Sequence, residues 1–161
     1  IEFGLEECIF VGNLDSLRDW GHAKDYVEMQ WLMLQQEFPE DYVIATGRQE
    51  SVRTFIEISA KKLGWGGIQW EGKGLDEKGR RKDNNNIVVR VDSRYFRPTE
   101  VNSLLGNAKK AKEKLGWIPK ISLEELVDEM IRHDYLVSER EYFLREKGYS
   151  TNELSNTLSD T

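Results

Sequence analysis

Apolar positions in the first third of the chain change between strand-like and helix-like spacing. Residues 8–11 form a short apolar run that predicts a strand. From His22 onward, apolar residues recur every three or four positions as far as Pro39, which predicts one long amphipathic helix. Residues 42–46 form a nearly continuous apolar run that ends at Gly47, a pattern typical of a buried strand covered on both faces.

A second helix follows this predicted strand. Ser51 has the side chain of an N-cap residue, the spacing of apolar residues over 52–63 favours a helix, and Gly64 is a suitable stop signal. A succession of strand, turn and helix is typical of an α/β protein. We therefore expect an α/β fold.

The middle of the chain predicts two more strands with a loop between them. Residues 68–71 and 87–92 alternate or run apolar like short strands. The stretch 72–86 is charged and rich in glycine and asparagine, so we expect an exposed loop that carries Arg80, Arg81 and Lys82 into solvent.

Two helices are predicted in the last third. Asn107 is the expected cap of a lysine-rich helix that ends at Gly116. Ser122 and Glu125 form the pattern of a capping box for a further helix. Its expected buried side chains are Leu123, Leu126, Val127, Met130 and Ile131. We expect residues 1–149 to form one portion and residues 150–161 a flexible tail.

Composition excludes several classes of function. A net charge of -6 argues against a general nucleic-acid binder, because such binding needs clustered cations. Cys8 is the only cysteine, so a disulfide within the chain and a multi-cysteine metal site are excluded. No apolar run approaches the ~20 residues of a membrane span. We expect a cytoplasmic protein without metal, and the abrupt opening into a strand indicates a truncated start.

Known catalytic and cofactor motifs are not found in the sequence. A dinucleotide site needs a glycine-rich turn from a strand into a helix, whereas the glycines of residues 64–67 follow a helix. P-loop, nucleophile-elbow and paired-histidine patterns do not occur. His22 is expected to help start its helix, and His133 is expected to lie on the surface of a helix. We therefore predict no catalytic or cofactor-binding residue in this chain.

Two segments place arginine where packing does not demand it, residues 12–27 with Arg18 and residues 95–101 with Arg97. Arginine presents a rigid fork of donors that matches phosphate oxygens, so two converging forks could hold a diphosphate. Glu100 would lie one helical turn beyond Arg97, with Pro98 at the first helical position, and could accept hydrogen bonds from ribose hydroxyls. The alternatives are an ordinary surface salt bridge between Arg97 and Glu100, and a loop ordered by Arg18 and Asp19.

The same segments, together with residues 31–35, 39–47 and 114–117, resemble the carboxy-terminal part of GDP-mannose 4,6-dehydratases. The resemblance runs from about Gly4 to Tyr149 and rests on several motifs in the same order. It implies the carboxy-terminal substrate-binding part of an extended short-chain dehydrogenase/reductase, without the glycine-rich Rossmann half. It also implies that Arg18 is a phosphate-side arginine, Arg97 a GDP-binding arginine and Glu100 a ribose-binding carboxylate.

The resemblance implies a lyase that converts GDP-mannose into GDP-4-keto-6-deoxymannose on the route to GDP-fucose. NADP, the acid-base pair and the Tyr-x-x-x-Lys pair would belong to the missing amino-terminal half, so this chain alone is expected to be inactive. The intact enzyme is expected to be a homo-oligomer. Alternatives are another nucleotide-sugar dehydratase or epimerase of the same group, and a non-catalytic binding or assembly module.

Overall fold

The structure, a computed structural model, describes residues 1–101 and 105–149. Its main sheet has four strands in the order β1, β6, β5, β4. The first pair is parallel and the other two pairs are antiparallel. The strands are β1 (Ile9–Val11), β4 (Ile68–Glu71), β5 (Lys78–Arg81) and β6 (Ile87–Val91).

The described residues also form four helices and a small second sheet. A two-stranded antiparallel sheet joins the segments before the first and second helices, and a single 3-10 turn, Gly74–Asp76, precedes β5. The small sheet consists of β2 (Leu17–Arg18) and β3 (Glu50–Ser51), and the helices are α1 (Ala23–Leu34), α2 (Val52–Lys62), α3 (Lys109–Leu115) and α4 (Leu123–Glu146).

The buried apolar side chains form two clusters. One lies between α2 and the main sheet and contains Ile56, Trp65 and Val89. The other joins α1 to α3 around Met29 and Trp117. The described part of the chain therefore has two separate apolar clusters, and the α/β prediction is confirmed.

The prediction of an exposed loop over residues 72–86 was wrong, because β5 lies within it. The core-facing residue of β5 is Gly79, and a Cβ there would lie only 2.9 Å from Ile68 and from Trp70. A strand whose buried position is glycine shows no apolar alternation in its sequence. Arg80 does not simply face solvent either, since it forms an ion pair with Glu71 on β4 at 2.9 Å.

The predicted buried strand over residues 42–46 was also wrong, because this segment belongs to neither sheet. Ala45 is buried, whereas Val43 is half exposed. Tyr42 and Ile44 pack against the cluster between α1 and α3. The apolar run therefore covers a core on one face only, and no ladder partner lies among the described residues.

Helix ends follow the sequence signals to within a few residues. The predicted first helix is shorter than expected, since α1 ends at Leu34. For α3 the N-cap is Ala108, although the Asn107 side chain accepts a hydrogen bond from the N–H of Lys109. The capping box of Ser122 and Glu125 is confirmed. Of the apolar residues predicted to be buried on α4, Met130 is 43% exposed.

Within residues 1–101 and 105–149, no helix combines the length and the apolar character that crossing a membrane requires.

Candidate functional site

A cleft of about 450 Å³ opens between the loop after β1 and the segments around the 3-10 turn and the end of β6. Its apolar walls include Leu14, Val91 and Phe96. Three carboxylates also line it: Asp15, Glu77 and Glu100. The cleft thus combines apolar surface with charged groups, which is the usual composition of a small-molecule site.

The loop after β1 holds the segment after β6 at this cleft. The carbonyl of Val11 accepts a hydrogen bond from the N–H of Asp92 at 2.9 Å. At Gly12 a Cβ would lie 2.3 Å from the carbonyl oxygen of Tyr95, so only glycine fits. The side chain of Asn13 bonds both backbone groups of Arg97. These contacts bring together the two segments that the sequence singled out.

Arg18 and Glu100 meet directly. Nη2 of Arg18, a residue of β2, lies 3.0 Å from Oε1 of Glu100. The Arg18 side chain is 34% exposed and the Glu100 side chain is 19% exposed. Nη1 of Arg18 also donates to the carbonyl of Leu17 at 2.8 Å. A guanidinium has five N–H donors, so these two bonds do not exhaust it. Because the pair is partly exposed, its main effect is to orient both side chains.

A further arginine, Arg53 on α2, is tied to the carboxylates of the cleft. Its Nε lies 2.8 Å from Asp15 and its Nη1 lies 2.7 Å from Glu77. Its guanidinium also lies 4.7 Å from the ring centre of Trp70. The hydrogen bond from Arg53 lowers the pKa of Asp15, and the same bond raises the pKa of Arg53. Both groups therefore stay charged near neutral pH.

The charges around the cleft are paired in this arrangement. Two arginines, Arg18 and Arg53, contact the three carboxylates that line the cleft. An anionic ligand would have to displace a carboxylate from a guanidinium, or bind where further N–H donors point. A phosphate could replace a carboxylate at the same guanidinium with little change in hydrogen-bond geometry, because the two groups present similar pairs of oxygen atoms.

The predicted site residues converge only in part. Arg18 and Glu100 form a contact, and Arg97 lies on the same segment as Glu100. The cleft itself is lined by Glu100, whereas Arg18 and Arg97 flank lining residues. The expected helix over 97–100 was wrong, because these residues have no helical hydrogen bonding. The N–H and carbonyl of Arg97 are instead bonded to Asn13, which prevents a helical turn from starting there.

Two residues at the site were missed by sequence reasoning. Arg53 was hidden in a helix that the pattern treated as structural, and Asn13 in a loop where asparagine is common. Only the position of Arg53 just after Ser51, at the first turn of α2, distinguishes it from other surface arginines. Nothing in the local sequence indicates that Asn13 bonds a residue 84 positions away.

The remaining polar candidates have structural roles. His22 is the N-cap of α1 and accepts a hydrogen bond from the N–H of Lys24, as predicted. Asp19 accepts hydrogen bonds from the N–H groups of Thr46 and Gly47 and so closes the end of residues 42–46. Each of these contacts orders the chain near β2.

Solved structures share this fold at low sequence identity. RMD from Pseudomonas aeruginosa, solved with NADPH, has a TM-score of 0.59 and 18% identity, over 80% of this chain and 36% of its own. UDP-glucose 4-epimerase from Thermotoga maritima, solved with UDP-glucose, has a TM-score of 0.59 and 24% identity, over 84% and 37%. The dTDP-glucose 4,6-dehydratase from Bacillus anthracis, solved with NAD, has a TM-score of 0.57 and 20% identity, over 78% of this chain and 34% of its own. The fold is therefore that of part of an extended short-chain dehydrogenase/reductase.

Sequence comparison gives the particular family. Residues 1–130 match the family model described as GDP-mannose 4,6 dehydratase. The chain belongs to this family. A GDP-mannose 4,6-dehydratase of Yersinia enterocolitica is 51% identical over 92% of this chain, and one of Homo sapiens is 54% identical over 83%. The chain spans 42% of the length of the first and 36% of the second.

Proposed function

We propose that this chain is the nucleotide-sugar-binding part of a GDP-mannose 4,6-dehydratase, and that residues 1–149 form that substrate portion. The observation that carries the proposal is the convergence of Arg18 and the segment of Arg97 and Glu100 at one cleft, in a chain of this family. The intact enzyme would remove water from GDP-mannose and form GDP-4-keto-6-deoxymannose.

Residues in and beside the cleft would bind different parts of GDP. Arg97 and Arg18 would hold the diphosphate, because each guanidinium can donate hydrogen bonds to two phosphate oxygens. Glu100 would release part of its contact with Arg18 and accept hydrogen bonds from the ribose hydroxyls. Arg53 would offset the negative charges of Asp15 and Glu77, which also line the cleft, so that these carboxylates repel the diphosphate less.

The chemistry would belong to the rest of a family-length polypeptide. NADP bound there would take a hydride from C4 of the sugar and return it to C6, while this chain would hold and orient the nucleotide. An exposed apolar face of α1, formed by Val27, Trp31 and Leu34, offers a surface on which that remaining part could pack. We further expect the intact enzyme to be a cytoplasmic homo-oligomer.

Titration calorimetry with GDP, on the protein at its natural full length, tests this function. We expect Arg97→Ala and Arg18→Met each to raise the dissociation constant by roughly tenfold or more, as the loss of a charge-assisted hydrogen-bonding partner predicts. Arg132→Met is the matched control, because Arg132 pairs with Asp128 on the exposed side of α4. Unchanged GDP affinity in both cleft variants would contradict the proposal.

The same preparation separates the alternatives. A dehydratase acting on GDP-mannose should bind GDP more tightly than UDP, whereas an epimerase of the same group that uses a uridine nucleotide should show the reverse order. A binding module without chemistry would bind GDP-mannose but form no 4-keto sugar. Product analysis by mass spectrometry distinguishes this outcome.

A further inference from the structure

The side-chain amide of Asn13 forms two hydrogen bonds to a single residue, Arg97. Its Oδ1 accepts from the N–H of Arg97 at 2.7 Å, and its Nδ2 donates to the carbonyl of Arg97 at 2.8 Å. A primary amide has one acceptor and one donor side, so this pairing matches the two backbone groups of an extended residue. It fixes the peptide groups on both sides of the Arg97 Cα.

These two bonds belong to a row of contacts between the two segments, which ends with the contact between Arg18 and Glu100. Val11 bonds Asp92, and the backbone of Gly12 lies against the carbonyl of Tyr95. Asn13 then reaches Arg97, further along the chain in the same direction. Without Asn13 the segment would be held before the arginine, at Tyr95, and after it, at Glu100, but not at the arginine itself.

The residue after Arg97 cannot replace this anchor. Pro98 has no N–H, so it offers no backbone donor. Proline also disfavours the helical region for the residue that precedes it and favours an extended backbone. An extended Arg97 presents its N–H and carbonyl on the same side, which is the geometry that the Asn13 amide bonds. Sequence and contact thus favour one conformation of the arginine backbone.

We propose that Asn13 is a positioning residue for the nucleotide diphosphate, and that it acts by fixing the backbone of Arg97 beside Glu100 and Arg18. This rests on the proposed function. A fixed backbone limits the directions in which the Arg97 guanidinium extends, so less conformational entropy is lost when it binds phosphate. Asn13 is not expected to contact the reacting atoms of the sugar.

The test compares Asn13→Ala, Arg97→Ala and the double variant in the protein at its natural full length. Asn84→Ala is the control, because Asn84 also caps a backbone N–H through its side chain, in the turn between β5 and β6. The measurements are the dissociation constant of GDP, kcat and KM for GDP-mannose, and the melting temperature. Asn13→Asp is a second variant that keeps the acceptor side of the amide and loses the donor.

We expect Asn13→Ala to weaken GDP binding by about three- to tenfold, as the loss of preorganisation predicts. KM should rise with kcat little changed. The double variant should bind GDP no more weakly than Arg97→Ala, since coupled residues are not additive. Asn13→Asp should weaken GDP binding at least as much as Asn13→Ala, because its second carboxylate oxygen would face the carbonyl of Arg97 without a donor and its charge would repel the diphosphate. Asn84→Ala should leave GDP binding unchanged.

Additive losses in the double variant, or a lower melting temperature with unchanged GDP affinity, would overturn the positioning role. If Arg97→Ala itself leaves GDP binding unchanged, the proposed function fails instead. The two failures are therefore distinguishable. Should Asn13→Ala not fold, the comparison of Asn13→Asp with Asn84→Ala decides, because an unchanged dissociation constant in Asn13→Asp contradicts the proposal.

Discussion

Single charged residues join segments that are distant in the sequence. Glu40 accepts hydrogen bonds from Lys110 and Lys114, which lie on α3, and its ion pairs to them measure 2.8 and 2.6 Å. These contacts attach the chain between α1 and residue 42 to α3. The hydrogen bond from Lys110, followed by that from Lys114, lowers the pKa of Glu40 from 4.5 to about 2.

The Glu40 cluster predicts a pH-dependent stability difference. Because the folded-state pKa is lowered, the cluster stabilises the fold above about pH 4.5 and loses this effect as the pH falls towards 2. Glu40→Gln should therefore lower the melting temperature at pH 7, and the difference from the unaltered chain should shrink in acid. Thermal melts between pH 7 and pH 2.5 measure this, with Glu37→Gln as the control.

A difference that persists unchanged at pH 2.5 would show that Glu40 acts through packing and not through its charge. Added salt should also shrink the difference at pH 7, because the groups are exposed to solvent and are screened.

Elements are held together by buried polar contacts as well as by apolar packing. Asp25 on α1 is 3% exposed, and its Oδ2 accepts from the N–H groups of Lys120 and Ile121 at 2.9 Å each. The indole N–H of Trp117 donates to the backbone carbonyl of Asp25. α1 thus fixes the path of the chain from α3 to α4.

Removing the Asp25 carboxylate should destabilise the whole chain. Asp25→Ala leaves two N–H groups of part-buried hydrogen bonds without their acceptor, which costs about 1–3 kcal/mol in the free energy of unfolding. Asp25→Asn keeps one carbonyl oxygen that can accept both bonds, so its cost should be clearly smaller. Urea denaturation measures both. Equal losses in the two variants would show that the acceptor at Oδ2 is not the cause.

At the scale of the whole molecule, part of the surface is rich in large apolar side chains, as a protein interior is. α1 has buried residues on one face and exposed apolar residues on the other, with Leu34 81% exposed and Trp31 59% exposed. Exposed apolar side chains that cluster on one part of a surface normally mark a place that another polypeptide covers. Residues 42–46 lie beside it as an extended segment outside both sheets. The chain spans about two fifths of its relatives' length, and these surfaces are suited to packing against another polypeptide.

The 161-residue chain on its own should therefore show exposed apolar surface. We expect it to bind the dye ANS and to self-associate, and Trp31→Glu with Leu34→Glu should reduce both effects. The same pair of substitutions in the protein at its natural full length should lower its melting temperature. Size-exclusion chromatography and dye fluorescence measure the first effect. Weak dye binding by the unaltered chain, matching that of the double variant, would contradict the expectation.

The strongly patterned elements were predictable because their signals are local. The capping box at Ser122, the N-cap at Ser51 and the left-handed Gly116 each determine a helix end through bonds within a few residues. The family was also predictable from the sequence, because its long motifs can be recognised without knowledge of the conformation. The predicted tail over residues 150–161 lies outside the described residues.

The errors share a physical cause, which is pairing over long sequence distances. The sequence alone determined which residue types were available: two arginines, whose guanidinium groups match phosphate oxygens, a carboxylate that can accept hydrogen bonds, and a proline next to one arginine. Tertiary structure alone decided that Gly79 lies in a strand and that residues 42–46 form no strand. It also decided that the backbone of Arg97 bonds Asn13 and does not start a helix. A hydrogen bond between residues 84 positions apart depends on the path of the whole chain, and no local pattern encodes that path.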